Sequence, residues 1–94
     1  MKLYIDTSSS EKVVIEIDGK RFEMDSRHDK SQVILPFLVE VLKKEGRSIK
    51  EIKEIDVNTG PGSFTGLRVG VSVANALAWY LGVQSHFSQI NYSS

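Results

Sequence analysis

Residues 55–70, IDVNTGPGSFTGLRVG, join a strand pattern to a helix pattern through a glycine-rich turn. Apolar and polar side chains alternate over Ile55–Thr59, which is typical of a half-buried strand. Gly60-Pro61-Gly62 ends that strand, and Ser63 is a favoured N-cap for a helix that continues to about Leu81. We therefore predict a strand, a tight turn and a long helix in the second half of the chain.

Three short segments upstream of this unit have the pattern of an antiparallel meander. Apolar and polar side chains alternate in Lys2–Asp6, Lys12–Asp18 and Arg21–Asp25, as expected for strands with one buried face. Asp18-Gly19 joins the second segment to the third and is a two-residue hairpin signal, because glycine tolerates a positive φ.

Another helix is predicted between the meander and the central strand. Helical spacing runs from Ser31 to about Glu45, and Gly46 is suited to the C-terminal cap. Pro36 lies inside this span and cannot donate a backbone hydrogen bond. The helix must therefore either kink at Pro36 or begin late, near Val33.

The segment Val83–Ser88 alternates as a fifth strand, so the predicted order of elements is β-β-β-α-β-α-β. A meander followed by two right-handed crossovers places the first and fourth strands side by side and parallel. We expect an α/β protein with a five-stranded mixed sheet. This is the ribonuclease H-like plan shared by the actin-like ATPases (the ASKHA fold).

The composition excludes several classes of protein. Twelve Lys+Arg balance twelve Asp+Glu among the 94 residues, so the zero formal charge gives no long-range attraction to nucleic acid. Cysteine is absent, which excludes disulfides and thiolate sites. The apolar runs are too short to span a membrane, and the early acid Asp6 is incompatible with a signal peptide. We expect a single-domain cytoplasmic protein without membrane contact.

Both predicted helices carry more apolar surface than one sheet can cover. On the second helix the apolar arc spans roughly 220°, whereas a helix on one sheet needs about 100°. Either the helices are enclosed within the domain, or the excess surface binds another protein. The residues predicted for such a partner surface are Leu35, Val39, Leu42, Arg68, Ser72, Ala76 and Trp79. The small residues Gly66, Gly70, Ala74 and Ala78 permit close helix approach, to a partner or to the protein's own sheet.

The alternative function is a nucleotide- or phosphate-binding half-site at the glycine-rich turn, because free N–H groups at a helix N-terminus bind anions. Hydroxyls at Thr7, Ser8, Ser63 and Thr65 would add contacts. The turn lacks the Gly-Lys-Ser/Thr ending of a P-loop. Asp6 is predicted to cap its own turn, and a metal-dependent nuclease using Asp6 is the weakest alternative. We expect no metal site, and we expect His28 and His86 to be solvated.

Three motifs occur in order along the chain: Asp6-Thr7-Ser8 after the first strand, Ser31-Gln32 with Leu35-Pro36, and the eleven-residue run from Gly60 to Gly70, the last being highly specific. Together they closely resemble the motifs of the TsaB (YeaZ) family. The resemblance implies an actin-like ATPase fold and an accessory, non-catalytic role without a cofactor in making threonylcarbamoyladenosine in tRNA. It implies pairing through the helices with a TsaD-like transferase, a TsaE-like ATPase as a further partner, and indirect contact with tRNA. Without the transferase, we expect the excess apolar surface of the helices to form a homodimer.

The chain departs from the family pattern at two points. Lys30 stands where the family usually has a histidine. The family also has a second lobe of similar fold, so we expect residues 1–94 to form one lobe, either naturally reduced or excised.

Overall fold

The computed structural model describes residues 1–9, 11–25, 32–58, 60 and 64–86, with the side chains of residues 64, 65 and 84–86 left aside. In chain order the strands are β1 (Lys2–Asp6), β2 (Lys12–Ile17), β3 (Lys20–Asp25), β4 (Glu54–Val57) and β5 (Gln84–His86). The helices are α1 (Ile34–Lys44), between β3 and β4, and α2 (Phe64–Leu81), between β4 and β5. A short 3₁₀ turn, Ile49–Glu51, precedes β4.

The strands form one mixed sheet in the order β3-β2-β1-β4-β5. β2 pairs antiparallel with both β1 and β3, whereas β4 pairs parallel with both β1 and β5. The predicted α/β class and the parallel neighbours β1 and β4 are confirmed.

The hairpin turn between β2 and β3 has the geometry that its sequence predicts. Asp18 and Gly19 have φ values of 50° and 87°, so both central residues are left-handed, as in a type I′ turn. The Asp18 carboxylate accepts a hydrogen bond of 2.9 Å from the Lys2 backbone N–H. This bond lowers the pKa of Asp18 below its ordinary value and ties the turn to the start of β1.

Helix α1 takes the late start that Pro36 requires. The N-cap is Val33, and the first helical bond runs from the Phe37 N–H to the Val33 carbonyl at 2.9 Å. Pro36 therefore lies in the first turn, where its missing N–H would be unpaired in any case. Gly46, with a φ of 64°, ends the helix, and the Arg47 N–H donates to the Leu42 carbonyl at 2.9 Å. This pattern is a Schellman cap.

The core lies between the sheet and both helices. Alternate residues of the strands, among them Leu3, Ile15 and Ile55, form one buried cluster with Ile34 and Leu38 of α1 and with the buried side of α2. The small residues of α2 (Gly66, Gly70, Ala74 and Ala78) are all buried. Of the two alternatives for these residues, close packing on the protein's own sheet is the one observed, with Gly70 against Thr7 of the strand-end turn.

The opposite face of the sheet is polar. Lys2 pairs with Asp56 at 2.9 Å, and Lys12 pairs with Glu23 at 3.1 Å. An antiparallel sheet commonly leaves one such face to solvent. The apolar surface of the molecule is therefore found on the helix side.

Candidate functional site

Helix α1 presents an aliphatic ridge to solvent. Leu35 and Val39, one turn apart, are 43% and 55% exposed. Lys43, one turn further along the same ridge, is also exposed. Leu42 is different: it is only 4% exposed and belongs to the core, because its position on the helix turns it towards the sheet with Leu38. The prediction that Leu42 lies on the outer surface is wrong.

Helix α2 presents aromatic side chains at its C-terminal end. Trp79 is 87% exposed and Tyr80 is 70% exposed. Arg68, Ser72 and Ala76, predicted for the same surface, are exposed as well. The four α2 residues predicted for the partner surface are therefore solvent-accessible in this chain.

An apolar groove of about 370 Å³ lies between the two helices. Its lining consists of Leu35 from α1 together with Ser72, Val73, Ala76, Leu77 and Tyr80 from α2. The sequence prediction included Leu35, Ser72 and Ala76 but missed the other three. Tyr80 follows Ala76 by four residues, so the helical spacing itself was the signal that could have placed it in the groove.

A second depression, of about 350 Å³, lies at the C-terminal end of α1. Val39, Leu42 and Ile49 form its apolar part, and Lys43 and Arg47 supply its charge. Arg47 is already engaged, because it contacts Glu51 at 2.9 Å and Asp18 at 3.6 Å. Lys43 forms no ion pair within the described part of the chain.

The end of β1 holds a polar cluster around Asp6. One carboxylate oxygen of Asp6 accepts hydrogen bonds from the Ser8 N–H at 2.9 Å, the Ser8 hydroxyl at 2.6 Å and the Asn58 amide at 3.1 Å. Partial burial acts to raise the pKa of Asp6, but the hydrogen bonds from Ser8 and Asn58 outweigh it and keep that pKa below its ordinary value. Asp6 therefore caps its own turn, as predicted.

Thr7 does not face a ligand. Its side chain is fully buried, and its hydroxyl donates a hydrogen bond to the Gly66 carbonyl in the first turn of α2. The prediction that Thr7 contacts phosphate is wrong, because the close approach of α2 supplies a protein acceptor instead. The Ser8 hydroxyl donates to Asp6. Ser63 and the Thr65 side chain lie outside the described residues, so the described part of the chain brings no set of hydroxyls together around a phosphate position.

Neither a metal site nor a membrane span is found within the described ranges. Those ranges contain no group of three or more His, Asp or Glu side chains able to hold a metal ion. Among the helices described, none has the length and hydropathy of a membrane span. His28 and the His86 side chain, predicted to be solvated, fall outside the described part.

Comparison with known proteins identifies the family of this chain. The sequence model described as TsaD, tRNA N6-adenosine threonylcarbamoyltransferase, matches residues 23–88. The chain therefore belongs to this threonylcarbamoyladenosine family, and specifically to its TsaB (YeaZ) members.

Two curated relatives illustrate the match. The tRNA threonylcarbamoyladenosine biosynthesis protein TsaB of Escherichia coli (strain K12) is 38% identical over 80 residues, which cover 81% of this chain and 34% of that protein. The tRNA N6-adenosine threonylcarbamoyltransferase of Ralstonia pickettii (strain 12J) is 47% identical over 67 residues, which cover 71% of this chain and 19% of that protein.

A solved structure supports the same assignment. YeaZ from Pseudomonas aeruginosa superposes with a TM-score of 0.75 at 26% identity, covering 94% of this chain and 42% of that chain. The chain thus spans about a third of the length of E. coli TsaB and under half of the YeaZ chain. The name of the E. coli relative assigns that protein to tRNA threonylcarbamoyladenosine biosynthesis.

Proposed function

We propose that this chain is a non-catalytic accessory subunit that binds a TsaD-like transferase through the exposed side of α1 and α2. Binding would stabilise the active conformation of the transferase without contact between this chain and the substrate. The main support for this proposal is the groove between Leu35 and Tyr80, beside which Val39 and Trp79 are exposed.

The energetics favour a protein occupant for this groove. Full burial of a large apolar side chain contributes about 1.5–3 kcal/mol. Leu35, Val39, Trp79 and Tyr80 leave between 43% and 87% of their surface in water, so covering them would supply several kcal/mol. Trp and Tyr are also enriched among the residues that dominate binding energy at protein interfaces.

The wider assembly follows from the same proposal. A TsaE-like ATPase would join the complex as a further partner, and tRNA would be bound by the transferase, since this chain has no net positive charge. The complex would act in the cytoplasm. We further propose that this chain contributes a single lobe of the ribonuclease H-like, actin-like ATPase type.

A binding titration against the TsaD-type transferase of the same organism tests this proposal. We expect a stable complex, and we expect Leu35→Asp and Tyr80→Asp each to weaken it by at least tenfold, since each puts a charge into the groove. Met24→Asp is the matched control, because Met24 is 39% exposed but lies on β3, away from the groove.

The activity of the transferase gives the second readout. Formation of threonylcarbamoyladenosine should rise on addition of the wild-type chain and of Met24→Asp, and should not respond to the groove variants. A transferase that neither binds the wild-type chain nor gains activity from it would refute the proposed function.

In the absence of the transferase, we expect this chain to form a homodimer through the same surface of α1 and α2. Sedimentation velocity at high micromolar concentration should then show a dimer for the wild type and a monomer for Tyr80→Asp. A wild-type monomer throughout that range would contradict self-association through the groove.

A further inference from the structure

The outer ridge of α1 changes character along its length. Leu35, Val39 and Lys43 are spaced four residues apart, so they lie along one ridge of the helix surface. The first two are exposed aliphatic side chains, and the third is an exposed cation. A segment that packs along this ridge meets apolar surface first and a positive charge at the C-terminal end.

Within the described part of the chain, no carboxylate forms an ion pair with Lys43. The depression beside it is lined by three apolar side chains, by Lys43 itself and by Arg47, with no carboxylate in the lining. Arg47 is held by Glu51 and Asp18, whereas Lys43 has no ion-pair partner among the described residues. Glu40 precedes Lys43 by three residues. It is about 60° from Lys43 around the helix axis, on the side opposite to Val39.

We infer that the partner segment packing on this ridge carries a carboxylate opposite Lys43, and that this charge pair sets its register on α1. The inference rests on the proposed function, because it concerns the transferase that covers the groove. An apolar ridge alone allows a partner helix to slide by one turn, since successive aliphatic contacts resemble each other. A single charge at one end gives the alternative registers different binding energies. A partner segment shifted by one turn would leave its carboxylate over apolar surface instead of opposite Lys43.

Charge reversal at Lys43 tests the inference, with Lys44→Glu as the matched control. Lys44 is exposed in the same last turn of α1, so both substitutions change the net charge and the helix end equally. Lys44 lies about 100° round the helix from Lys43, away from the ridge. We expect Lys43→Glu to weaken binding to the transferase by about three- to tenfold at low salt, and Lys44→Glu to change it by less than twofold.

Salt dependence and a neutral variant complete the test. Raising the ionic strength should weaken the wild-type complex but affect the neutral variant Lys43→Gln much less, since screening acts on the charge pair. Equal affinities for Lys43→Glu and Lys44→Glu, with identical salt dependence, would overturn the inference while leaving the proposed function intact. Failure of the wild-type chain to bind would instead refute the proposed function. Circular dichroism identifies any variant that fails to fold, and Lys43→Gln then decides the question alone.

Discussion

Replacing Gly70 by alanine should destabilise this protein although alanine is the better helix former. A Cβ at position 70 would overlap the Thr7 hydroxyl oxygen, and the Thr7 Cβ and Cγ2 would lie 3.5 Å away. That same hydroxyl donates to the Gly66 carbonyl. The added methyl group therefore acts on a buried hydrogen bond as well as on packing.

The magnitude follows from three effects. Overpacking in a close-packed interior costs about 1–3 kcal/mol, and a buried hydroxyl that loses its partner costs about 1–3 kcal/mol. Exchanging glycine for alanine within a helix returns about 1 kcal/mol. We expect a net loss of about 1–5 kcal/mol in the free energy of unfolding. For a chain of this length, that loss lowers the melting temperature on the order of 10 °C or more.

Urea unfolding of a double-mutant cycle is the appropriate assay. Thr7→Ala removes the oxygen that the new methyl group would meet and leaves a Cβ at an ordinary contact distance. The double variant should therefore be more stable than the sum of the single losses predicts, by about 1–3 kcal/mol. Ser72→Ala, at an exposed position of the same helix, is the control and should change stability by less than about 0.5 kcal/mol. Additive losses, or a Gly70→Ala protein as stable as the wild type, would refute the reasoning.

Three further outcomes are expected. The pKa of Asp6 is lowered in the folded protein. The ionised Asp6 carboxylate therefore stabilises the fold above the unfolded pKa near 4, and this stabilisation is lost as the pH falls through the folded pKa. Urea unfolding at several pH values should show a weaker acid dependence for Asp6→Asn than for the wild type. Gly19→Val places a β-branched residue at a φ of 87° and should cost about 1–2 kcal/mol in thermal unfolding, whereas a change below about 0.3 kcal/mol would argue against the type I′ turn. The chain has one tryptophan, Trp79, which is 87% exposed. Iodide should readily quench its fluorescence in the free chain and should quench it less in the transferase complex. Equal quenching in both states would place Trp79 outside the interface.

The local structure was largely readable from the sequence, because it depends on short-range chemistry. Asp18-Gly19 specifies its own turn, Pro36 restricts where α1 can begin, and Gly46 ends it. The order of the elements then leaves few topologies, and the parallel contact of β1 with β4 follows from right-handed crossovers.

The side-chain environments were harder to predict, because they depend on how closely the elements approach. Thr7 looked like a solvent-facing hydroxyl until the small residues of α2 brought the Gly66 carbonyl onto it. Leu42 looked like part of the exposed flank because a helical wheel cannot show how far the sheet extends beneath that flank. The four-residue spacing from Ala76 could have placed Tyr80 on the same side of α2, but the groove itself also requires Leu35, which lies on another helix.

The polar face of the sheet has a consequence for association. The large apolar side chains exposed in the described residues are Leu35, Val39, Trp79 and Tyr80 on α1 and α2, and Met24 on β3, which lies opposite the buried Val13 on the helix side of the sheet. The other side of the sheet carries ion pairs such as Lys2 with Asp56. Growth into a fibre requires two different complementary patches on each molecule, so that one copy can join the next without closure. A molecule with apolar surface on one side alone covers that surface completely when two copies associate face to face. At high concentration this chain should therefore form discrete oligomers of limited size and no fibres.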